Sequence, residues 1–289
     1  MTCRPKSKEK KTQIREYHTP DCGLFFQAER VIFRRKSRFQ KIEIIHNDTY
    51  GKMLFLDNLV QTTENDEFFY HEMLVHPSMM VHENPERVLI IGGGDGGALR
   101  ECLRYPIRQG IMVEIDSEVI QAAQAHFPWL KKIREDDRAE IIVGDGREYV
   151  EKKDAEFDVI LVDSSDPVGP SQVLHQIQFY ENLKKRLRSG GIAAAQVGSP
   201  LYHKEAVRRT VSELGTIFSR MRLYTAPVPT YPGGVWCYVF LSDDREPEKL
   251  RREPPAGLKY YNPETHRAAF SLPNFMRELL PGKGSQILP

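Results

Sequence analysis

Glycines and acidic residues follow the apolar segments of this 289-residue chain in positions where they could bind a nucleoside. The segment IGGGDGGALRE (91–101) allows a tight turn and close approach of a ligand to the backbone as a helix begins. Glu114 lies 22 residues after Gly92, and a carboxylate at that spacing accepts both hydroxyls of a ribose. Asp145 and Gly146 follow the next apolar segment and could read an adenine edge, although Asp145 could equally be a helix N-cap.

The carboxylate of Asp95 limits which nucleoside this glycine turn could bind. It would repel the pyrophosphate that a dinucleotide-binding fold places there, and the turn contains no Lys or Arg to compensate, so NAD is disfavoured. S-adenosylmethionine has a carboxylate of its own and meets a similar objection. The pattern favours a nucleoside whose tail ends in an amine and lacks a carboxylate.

A second acidic cluster lies in VILVDSSDPVGPSQVL (159–174), where Asp163 and Asp166 bracket Ser164 and Ser165 at the end of an apolar segment. Two acids this close together invite either a cationic substrate or a metal ion. A metal is the weaker interpretation, because no His or Cys joins them at ligand spacing. An Asx-type turn capped by both acids stays open as a purely structural alternative.

The segment HEMLVH (71–76) resembles a zinc motif, but its two histidines are five residues apart. They would lie roughly 140° apart around a helix, so they cannot bind one ion as a four-residue pair does, and zinc is rejected. Tyr70 and His71 remain candidates for a site because the start of this helix is unusually polar and aromatic. Core packing is the alternative for each of them.

Alternating strands and helices are predicted to hold these residues at one edge of a sheet. Continuous apolar strands that alternate with helices indicate a parallel sheet covered on both faces, and such α/β sheets bind ligands at the carboxyl ends of their strands. The predicted strands are RVLIIGG, GIMVEID, AEIIVGD, FDVILVD, GIAAAQV, MRLYTA and VWCYVFLS, and the chain after about residue 247 is irregular except for PNFMRELL. Before them, residues 23–62 contain β-rich runs such as LFFQAERVIF that predict a small antiparallel sheet.

Composition and charge exclude several classes of protein. No apolar run approaches the length of a membrane span, no secretory signal is evident, and the four cysteines form no CxxC pair, so we expect a cytoplasmic protein without membrane contact. Residues 1–41 contain 12 basic and 4 acidic side chains, and we interpret 33–41 as an exposed strand rather than a nucleic-acid arm. The acidic remainder of the chain favours a cationic small molecule.

Several of these segments together resemble the spermidine synthase family of polyamine aminopropyltransferases. They are TYGKMLFLDNLVQTTENDEFFYHEMLVHP, VLIIGGGDGGALRE, VEID, GDG, DSSDPVGP, VPTYPGGVW and KYYNPETHRAAFSLP, and the resemblance covers roughly residues 15–280. It implies a basic tail (1–13), a small antiparallel β domain (14–64) and a methyltransferase-like Rossmann domain with a parallel-rich seven-stranded sheet and a C-terminal extension (65–289). It also implies a homodimer or homotetramer.

The resemblance further implies transfer of an aminopropyl group from decarboxylated S-adenosylmethionine to an amine, foremost putrescine, which gives spermidine. The donor is a co-substrate, and no cofactor or metal is expected. The implied donor-binding residues are Gln40, Asp95, Glu114, Asp145, Gly146 and Pro170. The implied acceptor-binding residues are Tyr70, His71, Asp163, Ser164, Ser165, Asp166 and Tyr231, with Asp163 as catalytic base and the loop 163–178 as a gate.

One departure from the family pattern leaves the acceptor open. Many relatives have an acidic residue two positions after the glutamine that ends the fifth strand, where this chain has Gly198. Agmatine, cadaverine or a longer polyamine therefore remain alternatives to putrescine. Two other classes of protein also remain: an S-adenosylmethionine methyltransferase and a non-catalytic polyamine-binding protein.

Overall fold

The computed structural model describes residues 12–152, 156–164, 174 and 176–281. The chain divides into two compact units, with the boundary between Asn65 and Asp66, whereas the sequence placed the domain boundary between residues 64 and 65. Among the described helices, none is both long enough and apolar enough to cross a membrane.

The N-terminal unit consists of antiparallel strands. The strands are β1 (Gln13–Thr19), β2 (Cys22–Gln27), β3 (Arg30–Lys36), β4 (Lys41–Asn47), β5 (Gly51–Leu56) and β6 (Leu59–Thr63). β1 and β2 form a two-stranded sheet, and β3 to β6 form a four-stranded sheet in sequential order. The first strand begins at the last residue of the predicted basic tail.

Two details of this unit correct the sequence analysis. The run LFFQAERVIF is not one strand, because Ala28 N–H bonds to Thr12 while the next residue, Glu29, donates its N–H to His46 of β4. The chain therefore changes sheets at this point. Residues 33–41 are not one exposed strand either: β3 ends at Lys36, and the Ser37 hydroxyl accepts the N–H groups of Phe39 and Gln40 in a turn before β4.

The C-terminal unit contains a seven-stranded sheet with helices. The strands are β7 (Arg87–Gly92), β8 (Gln109–Glu114), β9 (Ala139–Val143), β10 (Phe157–Asp163), β11 (Leu187–Gly198), β12 (Arg220–Pro227) and β13 (Val235–Ser242). The helices are α1 (Glu67–Val81), α2 (Gly97–Cys102), α3 (Ser117–His126), α4 (Pro128–Ile133), α5 (Gly146–Lys152), α6 (Ile177–Lys185), α7 (Lys204–Ile217), α8 (Pro263–Ala269) and α9 (Asn274–Arg277).

The strand order, β12-β13-β11-β10-β7-β8-β9, creates a crevice beside β7 and β10. The strands β7 to β11 are parallel, and β13 is antiparallel to both of its neighbours. After β7 the chain continues towards β8 on one side, and β10 later joins β7 on the other, which is the switch point where such sheets bind ligands. Asp163 and Gly92 are paired at the carboxyl ends of β10 and β7, so the acidic cluster and the glycine turn meet there.

The predicted parallel-rich, seven-stranded sheet preceded by a small antiparallel β domain is confirmed. Val88 to Ile91 of β7 and Val159 to Val162 of β10 are fully buried, as central strands covered on both faces require. Helix α8 was not predicted from the sequence, although Asn262 and Thr265 of the segment NPET form a capping box at its start. PNFMRELL contains only the short helix α9.

Candidate active site

The glycine turn after β7 fits closely against the end of β10. Gly93 N–H donates to the carbonyl of Asp163 at 2.9 Å, and a Cβ on Gly92 would lie 2.2 Å from that carbonyl oxygen. Gly92 and Gly93 have φ angles of 84° and 70°, which other residues rarely adopt. Asp95 within the turn accepts Gly97 N–H at 2.9 Å through Oδ1, so its carboxylate is fixed at the start of α2.

Asp163 has one satisfied and one unsatisfied carboxylate oxygen. Tyr70 of α1 donates its hydroxyl to Oδ1 at 2.8 Å, while the buried Oδ2 has no hydrogen-bond partner among the described residues. Burial and, to a smaller extent, Asp95 raise the pKa of Asp163 to about 6, against the lowering by His71 and Tyr70. Burial and Asp163 together raise the pKa of Tyr70, so the phenol keeps its proton and acts as the donor. Asp163 is therefore poised to accept a proton near neutral pH.

His71 lies between two carboxylates. Its Nδ1 is 2.7 Å from Glu67 Oε2, and its Nε2 is 3.4 Å from Asp95 Oδ2. Burial lowers the pKa of His71, but Asp95 and Glu67 outweigh burial and raise the pKa well above its usual value. The ring is consequently an imidazolium at neutral pH.

The fold brings together a potential metal-binding set that the sequence spacing did not reveal. A nitrogen of His71 and carboxylate oxygens of Asp95 and Asp163 all lie within 4.8 Å of one another. The sequence analysis considered Asp163 together with Asp166, which lies outside the described residues, whereas the fold joins Asp163 to Asp95 and His71. A metal ligand must be a neutral imidazole, however, and the raised pKa of His71 opposes that state. The arrangement is better suited to an organic cation, and the absence of a metal stays a prediction.

His76 has different partners, as the five-residue spacing predicts. Its Nδ1 is 2.8 Å from the Tyr105 hydroxyl and its Nε2 is 3.2 Å from Glu101 Oε2, and both nitrogens are buried. His71 and His76 thus bind separate carboxylates and do not converge on one ion.

On the other side of the glycine turn, Glu114 ends β8 beside Gly94. Glu114 Oε1 accepts Asp116 N–H at 2.8 Å, and a Cβ on Gly94 would lie 2.9 Å from Cγ of Glu114. Burial raises the pKa of Glu114 to about 7, against the lowering by the N–H groups of Asp116 and Gly94. The carboxylate that was predicted to bind the ribose therefore lies in contact with the glycine turn.

Asp145 caps α5, as the alternative interpretation held. Its Oδ1 accepts Arg147 N–H at 2.8 Å, while Gly146 packs so tightly on β7 that a Cβ would lie 2.4 Å from Cγ2 of Ile91. These contacts explain both residues structurally, and their contact with an adenine stays a prediction.

Two aromatic residues, Tyr231 and Trp236, extend from Tyr70, the side chain that donates a hydrogen bond to Asp163. Tyr231 was predicted from the sequence. The Tyr231 ring is 5.6 Å from the Tyr70 ring and 4.8 Å from the Trp236 ring, between centroids. Trp236 Nε1 donates to Gln196 Oε1 at 2.9 Å, and Gln196 Nε2 donates to the Ser164 carbonyl at 2.7 Å. Gln196 and Trp236 were not predicted as site residues, although a polar residue at the end of an apolar strand was a usable signal.

The backbone at Gly198 excludes a side chain in its present conformation. Gly198 has a φ of 97°, and a Cβ there would lie 2.7 Å from Nδ1 of His203. His203 Nδ1 also accepts Ser199 N–H at 3.2 Å, which fixes the ring beside the glycine. An acidic residue could not simply be substituted at this position.

Some predicted residues cannot be located in this site. Ser165, Asp166 and Pro170, with most of the predicted gate (163–178), lie outside the described residues. Gln40 belongs to the N-terminal unit, where its carbonyl accepts Ser37 N–H at 2.9 Å in the turn between β3 and β4. The roles of these residues stay predictions.

Two family models match the chain. Residues 67–250 match the spermine/spermidine synthase domain, and residues 13–64 match the spermidine synthase tetramerisation domain. Together the two models match most of both structural units.

Curated relatives and solved structures agree with these matches. A polyamine aminopropyltransferase of Moorella thermoacetica is 40% identical over 92% of this chain and 95% of its own length, and one of Shouchella clausii is 40% identical over 92% and 98%. A spermidine synthase crystallised with the transition-state analogue AdoDATO superposes with a TM-score of 0.88 at 39% identity, covering 94% of this chain and 96% of its own. The spermidine synthase of Thermotoga maritima superposes with a TM-score of 0.87 at 38% identity, covering 94% and 95%.

Proposed function

Since the chain belongs to the spermine/spermidine synthase family of polyamine aminopropyltransferases, we propose that it transfers an aminopropyl group from decarboxylated S-adenosylmethionine to putrescine. The products are spermidine and methylthioadenosine. A bond forms between the acceptor nitrogen and the methylene next to the sulfonium, the carbon–sulfur bond breaks, and one proton leaves the nitrogen.

The observation that supports this reaction best is the buried Oδ2 of Asp163, which has no hydrogen-bond partner among the residues that the structure describes. An aliphatic amine has a pKa of about 10 and is protonated at neutral pH, so it is no nucleophile until a proton leaves. Asp163, with a pKa of about 6, attracts the ammonium and can take its proton as the nitrogen attacks. Tyr70 holds the other oxygen of Asp163, which fixes the direction of the base.

The donor is proposed to bind across the glycine turn. Asp95 would hold the aminopropyl ammonium, and Glu114 would accept the ribose hydroxyls. Asp95 also disfavours intact S-adenosylmethionine, because two carboxylates would then face each other. The family resemblance adds four further residues to the proposed donor site: Gln40, Asp145, Gly146 and Pro170.

The acceptor is proposed to lie against Tyr70, Tyr231 and His71, with Ser164, Ser165 and Asp166 at the loop that follows β10. The aromatic rings suit the methylene chain of a diamine, and their faces suit its ammonium ends. Gly198 stands where many relatives have an acidic residue, so the proposed pocket lacks that carboxylate. Cadaverine, agmatine and longer polyamines are therefore included in the test below.

The proposal also covers the assembly of the protein, its location and its use of cofactors. The match of residues 13–64 to a tetramerisation domain supports a homotetramer or homodimer. We expect the enzyme in the cytoplasm, acting on small molecules without nucleic acid. The displacement of a sulfonium is redox-neutral and its leaving group is a neutral thioether, so we expect no cofactor and no metal.

Product analysis with decarboxylated S-adenosylmethionine and a panel of amines tests the proposal. The panel is putrescine, cadaverine, agmatine and spermidine, each with intact S-adenosylmethionine as the alternative donor. We expect methylthioadenosine and spermidine in equal amounts from putrescine. A methylated amine with S-adenosylhomocysteine would instead indicate a methyltransferase, and amine binding without methylthioadenosine would indicate a binding protein.

A further inference from the structure

We propose that Glu67 is a positioning residue of this active site: it holds the His71 ring so that a ring nitrogen lies within 4.8 Å of carboxylate oxygens of both Asp95 and Asp163. The inference rests on the proposed function and adds to it a group that touches neither substrate. Glu67 and His71 are separated by one turn of α1, so their side chains lie on the same face of the helix. Their contact, 2.7 Å between His71 Nδ1 and Glu67 Oε2, joins two buried side chains.

The His71 ring is confined from several directions. The start of α2 packs against it so closely that a Cβ on Gly97 would lie 2.2–2.5 Å from three atoms of the ring. The Tyr70 ring meets it edge-on at 5.3 Å between centroids. With Nδ1 bound to Glu67, Nε2 points at Asp95. This confinement fixes where the positive charge of His71 lies.

Glu67 is itself held as a carboxylate. Nη2 of Arg100 lies 2.7 Å from Glu67 Oε2, the same oxygen that His71 contacts. Burial raises the pKa of Glu67, but His71 and Arg100 together lower it below its usual value. Glu67 thus contributes a permanent negative charge behind the ring, which Arg100 partly balances.

The charged and titratable groups around His71 act on Asp163 in two directions: Asp95 raises its pKa, and His71 and Tyr70 lower it. Glu67 and Tyr70 face it from α1, Asp95 from the glycine turn, Asp163 from the end of β10, and Arg100 stands behind Glu67. Glu67 and Asp95 keep the ring protonated, and the imidazolium lowers the pKa of Asp163. Without the Glu67 charge, His71 loses its proton more easily, and Asp163 then holds its proton at higher pH.

The experiment compares Glu67→Gln with Glu101→Gln. Glu101 is a matched control because it is also buried, also paired with Arg100, and also in contact with a histidine, His76, but it does not contact His71. Both variants lose a buried carboxylate, so both are expected to lose thermal stability. Only Glu67→Gln should change the pH dependence of turnover.

We expect the acidic limb of the kcat profile to move up by about one pH unit in Glu67→Gln, since an opposite charge within 4–6 Å shifts a pKa by about that much or more. Starting from a pKa of about 6, kcat would fall about fivefold at pH 6 and by less than about twofold at pH 8. Glu101→Gln should keep the parent profile. An unmoved limb in Glu67→Gln would reduce Glu67 to a structural residue.

Nitrogen NMR of the His71 ring provides a readout that does not depend on turnover. The ring should stay doubly protonated to higher pH in the parent than in Glu67→Gln, and equal titration in both proteins would overturn the proposal. A parent that transfers no aminopropyl group would defeat the proposed function while leaving this titration to test Glu67. If Glu67→Gln does not fold, the paired change Glu67→Gln with Arg100→Met removes the Glu67–Arg100 ion pair and takes its place, while Glu101 keeps its contacts with Arg104 and His76.

Discussion

The two ends of β10 place the same acidic residue in opposite situations. Near the amino end, Asp158 is 5% exposed, and its Oδ2 accepts the N–H groups of Glu86 and Arg87 at 2.9 and 2.8 Å. Nη1 of Arg188 lies 3.1 Å from Oδ1 of Asp158. At the carboxyl end, the side chain of Asp163 has a single hydrogen bond among the described residues, which it accepts from the Tyr70 hydroxyl.

The difference separates a carboxylate that completes the fold from one that awaits a substrate. Buried polar atoms in folded proteins are almost always hydrogen-bonded, so an unpaired one indicates a function that balances its cost. Asp158 joins β10 to the start of β7 and to β11, and it has no oxygen left without a partner. Asp163 combines an oxygen that is unpaired within the described part of the chain with a pKa raised to about 6, the combination expected of a catalytic base.

The largest expected contrast between the two ends is in turnover. Asp163→Asn keeps the size of the side chain but cannot take a proton, and loss of a general base typically lowers the rate 10²–10⁴-fold. Asp158→Asn should leave kcat within about twofold of the parent, because Asp158 lies at the amino end of β10, away from the carboxyl end where the site is. Steady-state rates between about pH 7 and 10 measure both effects.

The pH dependence makes this test sharper. The parent kcat should fall as the pH drops through about 6, where Asp163 becomes protonated. Residual activity of Asp163→Asn should instead rise with pH, as more of the acceptor amine loses its proton to solvent. A folded Asp163→Asn variant with parent turnover at pH 7 would contradict the assignment of the base.

The same pair of substitutions should change stability in opposite directions. Asp163 has a folded-state pKa above its unfolded value of about 3.9, so its contribution to stability is lost as the pH rises from about 4 to about 6. At pH 8, the free energy of unfolding of Asp163→Asn should therefore exceed that of the parent by about 3 kcal/mol, and this gain should disappear at pH 4. Denaturant titrations at the two pH values measure it.

Asp158→Asn should be less stable than the parent at pH 8 by about 1–3 kcal/mol, because it removes a charge-assisted contact with Arg188. If both variants lost stability to the same degree, the two ends of β10 would not differ in the way proposed.

The sequence reveals strands more readily than it reveals this difference. FDVILVD predicts β10, and the position of Asp163 at its end predicts a site residue, because apolar runs and strand ends are local features. The roles of Asp158 and His71 depend on partners from other elements, among them the backbone of Glu86 and the side chain of Glu67. Contacts across the fold leave no periodic signal in the sequence. For the same reason, the fit of Gly198 against His203 could not be predicted.

Glu114 represents an intermediate case between the two ends of β10, and the effect of changing it should be the smallest. One of its oxygens accepts Asp116 N–H, and its pKa is raised by burial to about 7. A carboxylate accepts ribose hydroxyls better than a carboxylic acid does, so methylthioadenosine should bind more tightly as the pH rises through about 7.

Glu114→Gln should weaken methylthioadenosine binding about tenfold at pH 8, where the parent is ionised, since a charge-assisted hydrogen bond contributes about 1.5–3 kcal/mol. At pH 6 the loss should be smaller, because the parent has then gained its proton. Calorimetric titrations at pH 6 and 8 measure the four dissociation constants. Asp116→Asn is the matched control at pH 8: it keeps the backbone N–H that Glu114 accepts and the side-chain oxygen that caps α3, so it should bind at that pH as the parent does. Equal affinity of the parent and Glu114→Gln at both pH values would place Glu114 with Asp158, as a carboxylate that serves only the fold.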